Sequence, residues 1–165
     1  MGTGKSCVGR NVAEILKYTF LDTDHVIEAR AGKSVSEIFQ QDGEPVFREW
    51  ERRITDELTT RHATVIATGG GLPANEHNLA SLKTHSLVVC LWASPEKIHE
   101  RVSRNAHRPL LQDPDPLQKI RTLLTVREPF YRQADILMNT EMRSVREIAL
   151  QVVHHFHQAR HAARP

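Results

Sequence analysis

The sequence has few cysteines, no long apolar run, little net charge and no internal repeat. Cys7 and Cys90 are its only cysteines, far apart and in no C-x-x-C arrangement. That excludes a disulfide framework and points to a reducing compartment. No apolar stretch approaches the roughly 18 residues of a membrane span. The N-terminus lacks the apolar region of a secretion signal, so the chain reads as cytoplasmic. A formal net charge of +2 is too small to predict nucleic-acid binding through bulk charge. What is present is a chain of 165 residues, 39% hydrophobic and 25% charged, enough for about one domain with one sizeable core. Residues 1–158 read as that domain and 159–165 as a frayed tail.

The most informative stretch is Gly2-Thr3-Gly4-Lys5-Ser6. It matches the second half of G-x-x-x-x-G-K-[ST], whose backbone N–H groups form a nest for phosphate oxygens. The helix that follows adds its positive N-terminal end. In this pattern Lys5 reaches the β- and γ-phosphates and the Ser6 hydroxyl ligates Mg²⁺. The ATP-phosphate set is therefore Gly2, Thr3, Gly4, Lys5, Ser6 and the backbone N–H of Cys7. Counting back from Gly4, the pattern's first glycine would lie two residues before Met1 and its feeding strand further upstream. The expectation is a sheet without its first, central strand, and hence a chain that is poorly stable or inactive. Gly32-Lys33-Ser34 repeats the dipeptide but has Ile27 where the first glycine belongs, and reads as a helix break.

Strand and helix patterns alternate, which predicts an α/β fold with a mainly parallel sheet. A helix follows the phosphate loop on the spacing of Val8, Val12, Ile15 and Leu16. Strands are predicted over Tyr18–Leu21, Thr64–Ala67, Leu87–Trp92 and Ile136–Met138. Helices are predicted over His25–Ala31, Val35–Gln41, from Pro45 through Leu58, Pro95–Ser103 and Leu117–Arg127. Val145, Ile148, Ala149, Val152, Val153 and Phe156 form the stripe of a closing amphipathic helix. Residues 105–116, with three prolines and two aspartates, read as a mobile lid. His154, His155, His157 and His161 read as solvated; no Glu or Cys joins the i, i+4 pair His157 and His161.

Asp22 and Asp24 stand two apart at a strand end, so both carboxylates can face one cleft beyond the strands. One suits a Mg²⁺ shell and the other a proton acceptor. The alternative is an ordinary strand-to-helix junction with Asp24 as the helix cap. Gly69-Gly70-Gly71 after a strand costs backbone entropy and offers no packing, which makes sense where a ligand approaches the backbone closely.

Gly2–Ser6, Phe20-Leu21-Asp22-Thr23-Asp24, Phe47-Arg48-Glu49-Trp50-Glu51, Thr68-Gly69-Gly70-Gly71, Arg108-Pro109-Leu110-Leu111 and Arg127-Glu128-Pro129-Phe130-Tyr131 together resemble the shikimate kinase family. The resemblance runs from Gly2 to about Arg143. It implies a three-layer P-loop kinase that moves the γ-phosphoryl of ATP to the 3-hydroxyl of shikimate with Mg²⁺, in aromatic amino-acid synthesis. By resemblance, Asp24 hydrogen-bonds the attacking hydroxyl and acts as base, and Asp22 holds the Mg²⁺ shell beside Ser6. Arg48 and Arg127 clamp the substrate carboxylate, a task for the planar guanidinium fork. Glu51 orients Arg48 from the same helix face. Gly69, Gly70 and Gly71 line the ring. Arg108 meets the transferring phosphoryl, with Lys5 and Asp24 completing the catalytic set. Arg101 and Arg143 lie near the adenine. Cys7 stands where the family has Ser or Thr. The expected partners are ATP and shikimate on a monomer, with no nucleic acid and no membrane. The rival readings are a P-loop kinase for another hydroxylated acceptor such as gluconate, and a non-catalytic, truncated kinase-like protein.

Overall fold

A computed structural model describes residues 2–103 and 114–162. Helix α1 (Lys5–Leu16) leads to strand β1 (Thr19–Asp22) and helix α2 (Thr23–Ala31). Gly32 ends α2 at φ 66°, and Ser34 then opens α3 (Val35–Glu37) with a capping box to Glu37. The Gly-Lys-Ser decoy is thus a helix break. Helix α3 runs on as a π-helical turn over Ile38–Asp42, and α4 (Glu44–Leu58) follows with Pro45 in its first turn. Then come β2 (Thr64–Ala67), a 3₁₀ turn (Leu72–Ala74), α5 (Glu76–His85), β3 (Val89–Trp92), α6 (Pro95–Ser103), α7 (Pro116–Tyr131), β4 (Ile136–Asn139) and α8 (Val145–Ala162). Among the described residues no helix is long and apolar enough to cross a membrane.

The strands sit between two helical layers. Val65, Leu91 and Ile136 pack against a core of Val8, Val12, Met138, Ile148, Ala149 and Val153, supplied largely by α1 and α8. Leu21, Ile66 and Val88 pack against Ile27, Ile38, Phe47, Ile54, Leu58, Leu72 and Leu82 on the other side. Neighbours such as Val65 and Ile66 point to opposite faces because a strand's side chains alternate. A third cluster, Ala93, Ile98, Val102 and Ile120, joins α6 to α7.

The strands are parallel and form two pairs. β1 pairs with β2 (Asp22 opposite Ala67) and β3 with β4 (Val89 opposite Ile136). Among the described residues, β2 and β3 have no ladder partner on their other edges. A cavity of about 420 Å³, lined by residues that include Val65, Ala67, Val89 and Leu91, lies between them.

The helices depart from the expected bounds in three places. Helix α5 was not anticipated, although Asn75 caps it by accepting from the Asn78 N–H at 3.2 Å. Helix α7 continues through Pro129 to Tyr131 rather than ending at Arg127. Helix α8 runs on to Ala162, past the expected domain end at residue 158. There Arg160 lies over the Phe156 ring, which meets Tyr18 edge-on at 6.0 Å. The expected lid falls mostly outside the described residues.

Candidate active site

The phosphate loop leads straight into α1. Gly2 and Gly4 adopt φ 64° and 88°, a region that only glycine enters without strain. Gly4 is the N-cap and Lys5 the first helical residue. The exposed Ser6 hydroxyl donates to Asp22 Oδ2 at 2.7 Å, which joins the loop to the end of β1. The other oxygen, Asp22 Oδ1, accepts from the Asp24 N–H at 3.2 Å. The helix cap is therefore Asp22, not Asp24.

That division leaves the Asp24 carboxylate free for chemistry. Its Oδ1 is buried and has no hydrogen-bond partner. Burial, then the neighbouring Asp22 charge, push its pKa above the usual carboxylate value, while Lys5 pulls it down.

The glycine run is shaped by these side chains. A Cβ on Gly69 would come within 2.5 Å of Asp24 Oδ1, and one on Gly71 would collide with the Arg48 guanidinium. Neither residue has a positive φ, so what glycine supplies here is room for the Asp24 and Arg48 side chains as they stand. The Gly69 N–H donates to buried Thr23 Oγ1 at 3.0 Å, and the Gly70 carbonyl accepts from the Tyr131 hydroxyl at 2.6 Å.

Arg48 projects from α4 towards this run. It donates to Glu51 Oε2 at 2.6 Å and, through Nε and Nη2, to Glu44 Oε1 at 3.1 and 2.6 Å. Glu51 is 1% exposed, and its second oxygen has no partner. Burial raises the Glu51 pKa against the opposing pull of Arg48. For Arg48, burial works against the charge, but the two carboxylates outweigh it and raise its pKa. Glu51 also feels the charges of Asp24 and Arg127, so these groups converge on one cleft. Arg127, half-buried on α7, interacts with the Tyr131 hydroxyl.

The structure thus brings together Lys5, Ser6, Asp22, Asp24, Arg48, Gly69–Gly71 and Arg127. Cys7 is exposed in the first turn of α1. Arg101 is fixed on Thr140, donating to its Oγ1 at 2.9 Å and its carbonyl at 2.6 Å. Arg143 is exposed, beside Glu147. Arg108 lies outside the described residues. Sequence reasoning missed Thr23, Glu44 and the role of Tyr131. Of these, Glu44 had a signal, its i, i+4 spacing from Arg48.

An oxygen pair of one hydroxyl and one carboxylate, Ser6 and Asp22, fits Mg²⁺, a hard cation. Among the described residues no group of three or more His, Cys, Asp or Glu is arranged to hold a metal. Such a pair suits an ion that takes most of its shell from phosphate oxygens and water.

Comparison with known proteins decides the family. The shikimate kinase family model matches residues 1–157. The chain belongs to the shikimate kinase family. The shikimate kinase of Caldanaerobacter subterraneus subsp. tengcongensis is 42% identical over 153 residues, covering 93% of this chain and 90% of that one. That of Acinetobacter baylyi is 43% identical over 154 residues, with 93% and 86% covered. Among solved structures, shikimate kinase from Acinetobacter baumannii in complex with shikimate superposes with a TM-score of 0.90 at 40% identity, covering 96% of this chain and 89% of that chain. The Aquifex aeolicus enzyme gives 0.83 at 33% identity, with 96% and 93% covered. The chain is therefore an α/β P-loop kinase with parallel strands, an enzyme of an ATP-using family.

Proposed function

We propose that the chain transfers the γ-phosphoryl group of ATP to the 3-hydroxyl of shikimate, giving shikimate 3-phosphate and ADP in aromatic amino-acid synthesis. The carrying observation is a buried, unpartnered carboxylate oxygen on Asp24, set between the phosphate loop and a glycine run flanked by Arg48. Phosphoryl transfer needs in-line positioning and compensation of oxygen charge more than covalent chemistry from the protein. Asp24 takes the proton of the attacking hydroxyl as its oxygen bonds to the γ-phosphorus and the bond to the bridging oxygen of ADP breaks. Burial raises the basicity of Asp24, which suits that role.

Arg48 and Arg127 clamp the substrate carboxylate, and Gly69, Gly70 and Gly71 line its ring. The ATP phosphates lie on the backbone of Gly2–Cys7 with Lys5 at the β- and γ-oxygens, and Arg101 and Arg143 serve the adenine side. Mg²⁺ supplies charge compensation on the phosphates; Ser6 would hold it directly and Asp22 through water. Arg108 meets the transferring group and compensates its charge. The enzyme works as a single-domain monomer with no nucleic-acid or membrane partner. Two free cysteines, Cys7 and Cys90, suit the cytoplasm.

Steady-state kinetics of Arg48→Ala test the clamp. The expected result is a shikimate KM at least ten-fold higher with the ATP KM little changed. An unchanged shikimate KM contradicts the assignment.

A further inference from the structure

The Tyr131 hydroxyl lies where the two halves of the cleft meet. Tyr131 ends α7, one helical turn after Arg127. Its Oη donates to the Gly70 carbonyl at 2.6 Å, a contact between residues 61 apart in the chain. Arg127 stands four residues earlier on the same helix, and its charge opposes the rise that burial imposes on the pKa of the phenol. A hydroxyl has one proton to donate and lone pairs to accept. With its proton committed to Gly70, it faces Arg127 as an acceptor. On the far side of the glycine run, the Gly69 N–H is held by Thr23 Oγ1, and Thr23 adjoins Asp24. Two hydrogen bonds therefore tie the glycine run to its flanks, one to Thr23 on α2, next to Asp24, and one to Tyr131 on α7, one turn after Arg127.

We infer that Tyr131 is a positioning residue for shikimate binding: its hydroxyl fixes the glycine run and aims the Arg127 guanidinium at the substrate carboxylate. This rests on the proposed shikimate reading. Tyr131 lines the cavity between the strand pairs, and Tyr131→Phe keeps its ring there and removes only the polar link. Losing one hydrogen bond that orients a charged group changes binding by roughly three- to ten-fold.

The test is steady-state kinetics of wild type, Tyr131→Phe, Arg127→Lys and the double variant, with thermal melts of each. The expected result is a three- to ten-fold rise in shikimate KM for Tyr131→Phe. The ATP KM and the melting temperature should be nearly unchanged. Because Tyr131 acts through Arg127, the double variant should be little worse than Arg127→Lys alone. An unchanged shikimate KM overturns the inference. So does a parallel rise in both KM values with a lowered melting temperature, which marks a structural role only. Fully multiplicative effects in the double variant overturn the coupling to Arg127. Wild-type activity is read first: no transfer to shikimate by wild type sinks the functional reading and this inference with it, whereas normal wild-type kinetics with any of the other contrary results sinks the inference alone.

Discussion

Asp24 is held in a state that folding disfavours. Its buried Oδ1 lacks a partner, and burial and Asp22 raise its pKa above the usual 3.8. A carboxyl with a raised folded-state pKa stabilises the fold below its unfolded pKa and loses that contribution as pH rises through the folded value. At neutral pH its charge therefore costs stability. Asp24→Asn is predicted to lower kcat at least 100-fold, the scale of lost general-base catalysis. Its melting temperature at pH 7 should equal or exceed that of wild type, with the difference shrinking as pH falls towards 3.8. A strongly destabilised variant would contradict this account. For the same reason, the acid limb of wild-type kcat/KM should fall at a pH above the ordinary carboxylate range.

Gly69 makes the second residue-scale test. A methyl there would come within 2.5 Å of Asp24 Oδ1, the end of a movable side chain. Gly69→Ala should displace the carboxylate rather than unfold the chain. A misplacement near 1 Å can cost about 100-fold in rate. The expected outcome is a kcat lowered at least ten-fold with a circular-dichroism melt close to wild type. Full activity would show that Asp24 tolerates the shift.

At the scale of elements, Lys5, Asp24, Arg48 and Arg127 each ride on a helix anchored in a core. Ile27, 0% exposed, anchors α2 one turn after Asp24. Ile27→Ala should cost about 2–5 kcal/mol in urea unfolding, a large share of a typical margin of ~5–15 kcal/mol. A cost near zero would mean that α2 is held by its cap alone.

The elements were legible where apolar spacing was strong. Thr64–Ala67 and Pro95–Ser103 appear with the expected bounds. Helix α5 has Leu79 and Leu82 as its buried apolar residues, too weak a stripe to announce a helix. Helix α7 carries Pro129 near its end, where a proline forfeits one hydrogen bond and crowds the carbonyl four residues back, and the Tyr131–Gly70 bond fastens that last turn. In the site, residue types in motifs pointed to the members. Their division of labour was hidden because it depends on contacts between distant segments. Sequence alone could not say which aspartate caps α2. Nor could it show that the glycines make room for Asp24 and Arg48.

Over the whole molecule, the strand pairs β1–β2 and β3–β4 meet across the cavity, and the site draws on both sides of it. Lys5, Asp24, Arg48 and the glycine run adjoin the first pair, while Arg127 comes from α7 ahead of β4. A ligand that contacts both sides should stabilise the fold as a unit. Shikimate at 100 times its Kd should add about 2.7 kcal/mol, a rise in melting temperature of roughly 5–10 °C for a chain of this size. Gluconate should give no comparable shift. Equal shifts from both would argue against a site built for a carboxylated ring.

The central claim is the reaction itself. Incubation of the protein with ATP, Mg²⁺ and shikimate, followed by ³¹P NMR of the products, tests it directly. Shikimate 3-phosphate and ADP are expected in equal amounts. ADP without phosphorylated shikimate, no turnover at all, or preferential phosphorylation of gluconate would contradict it.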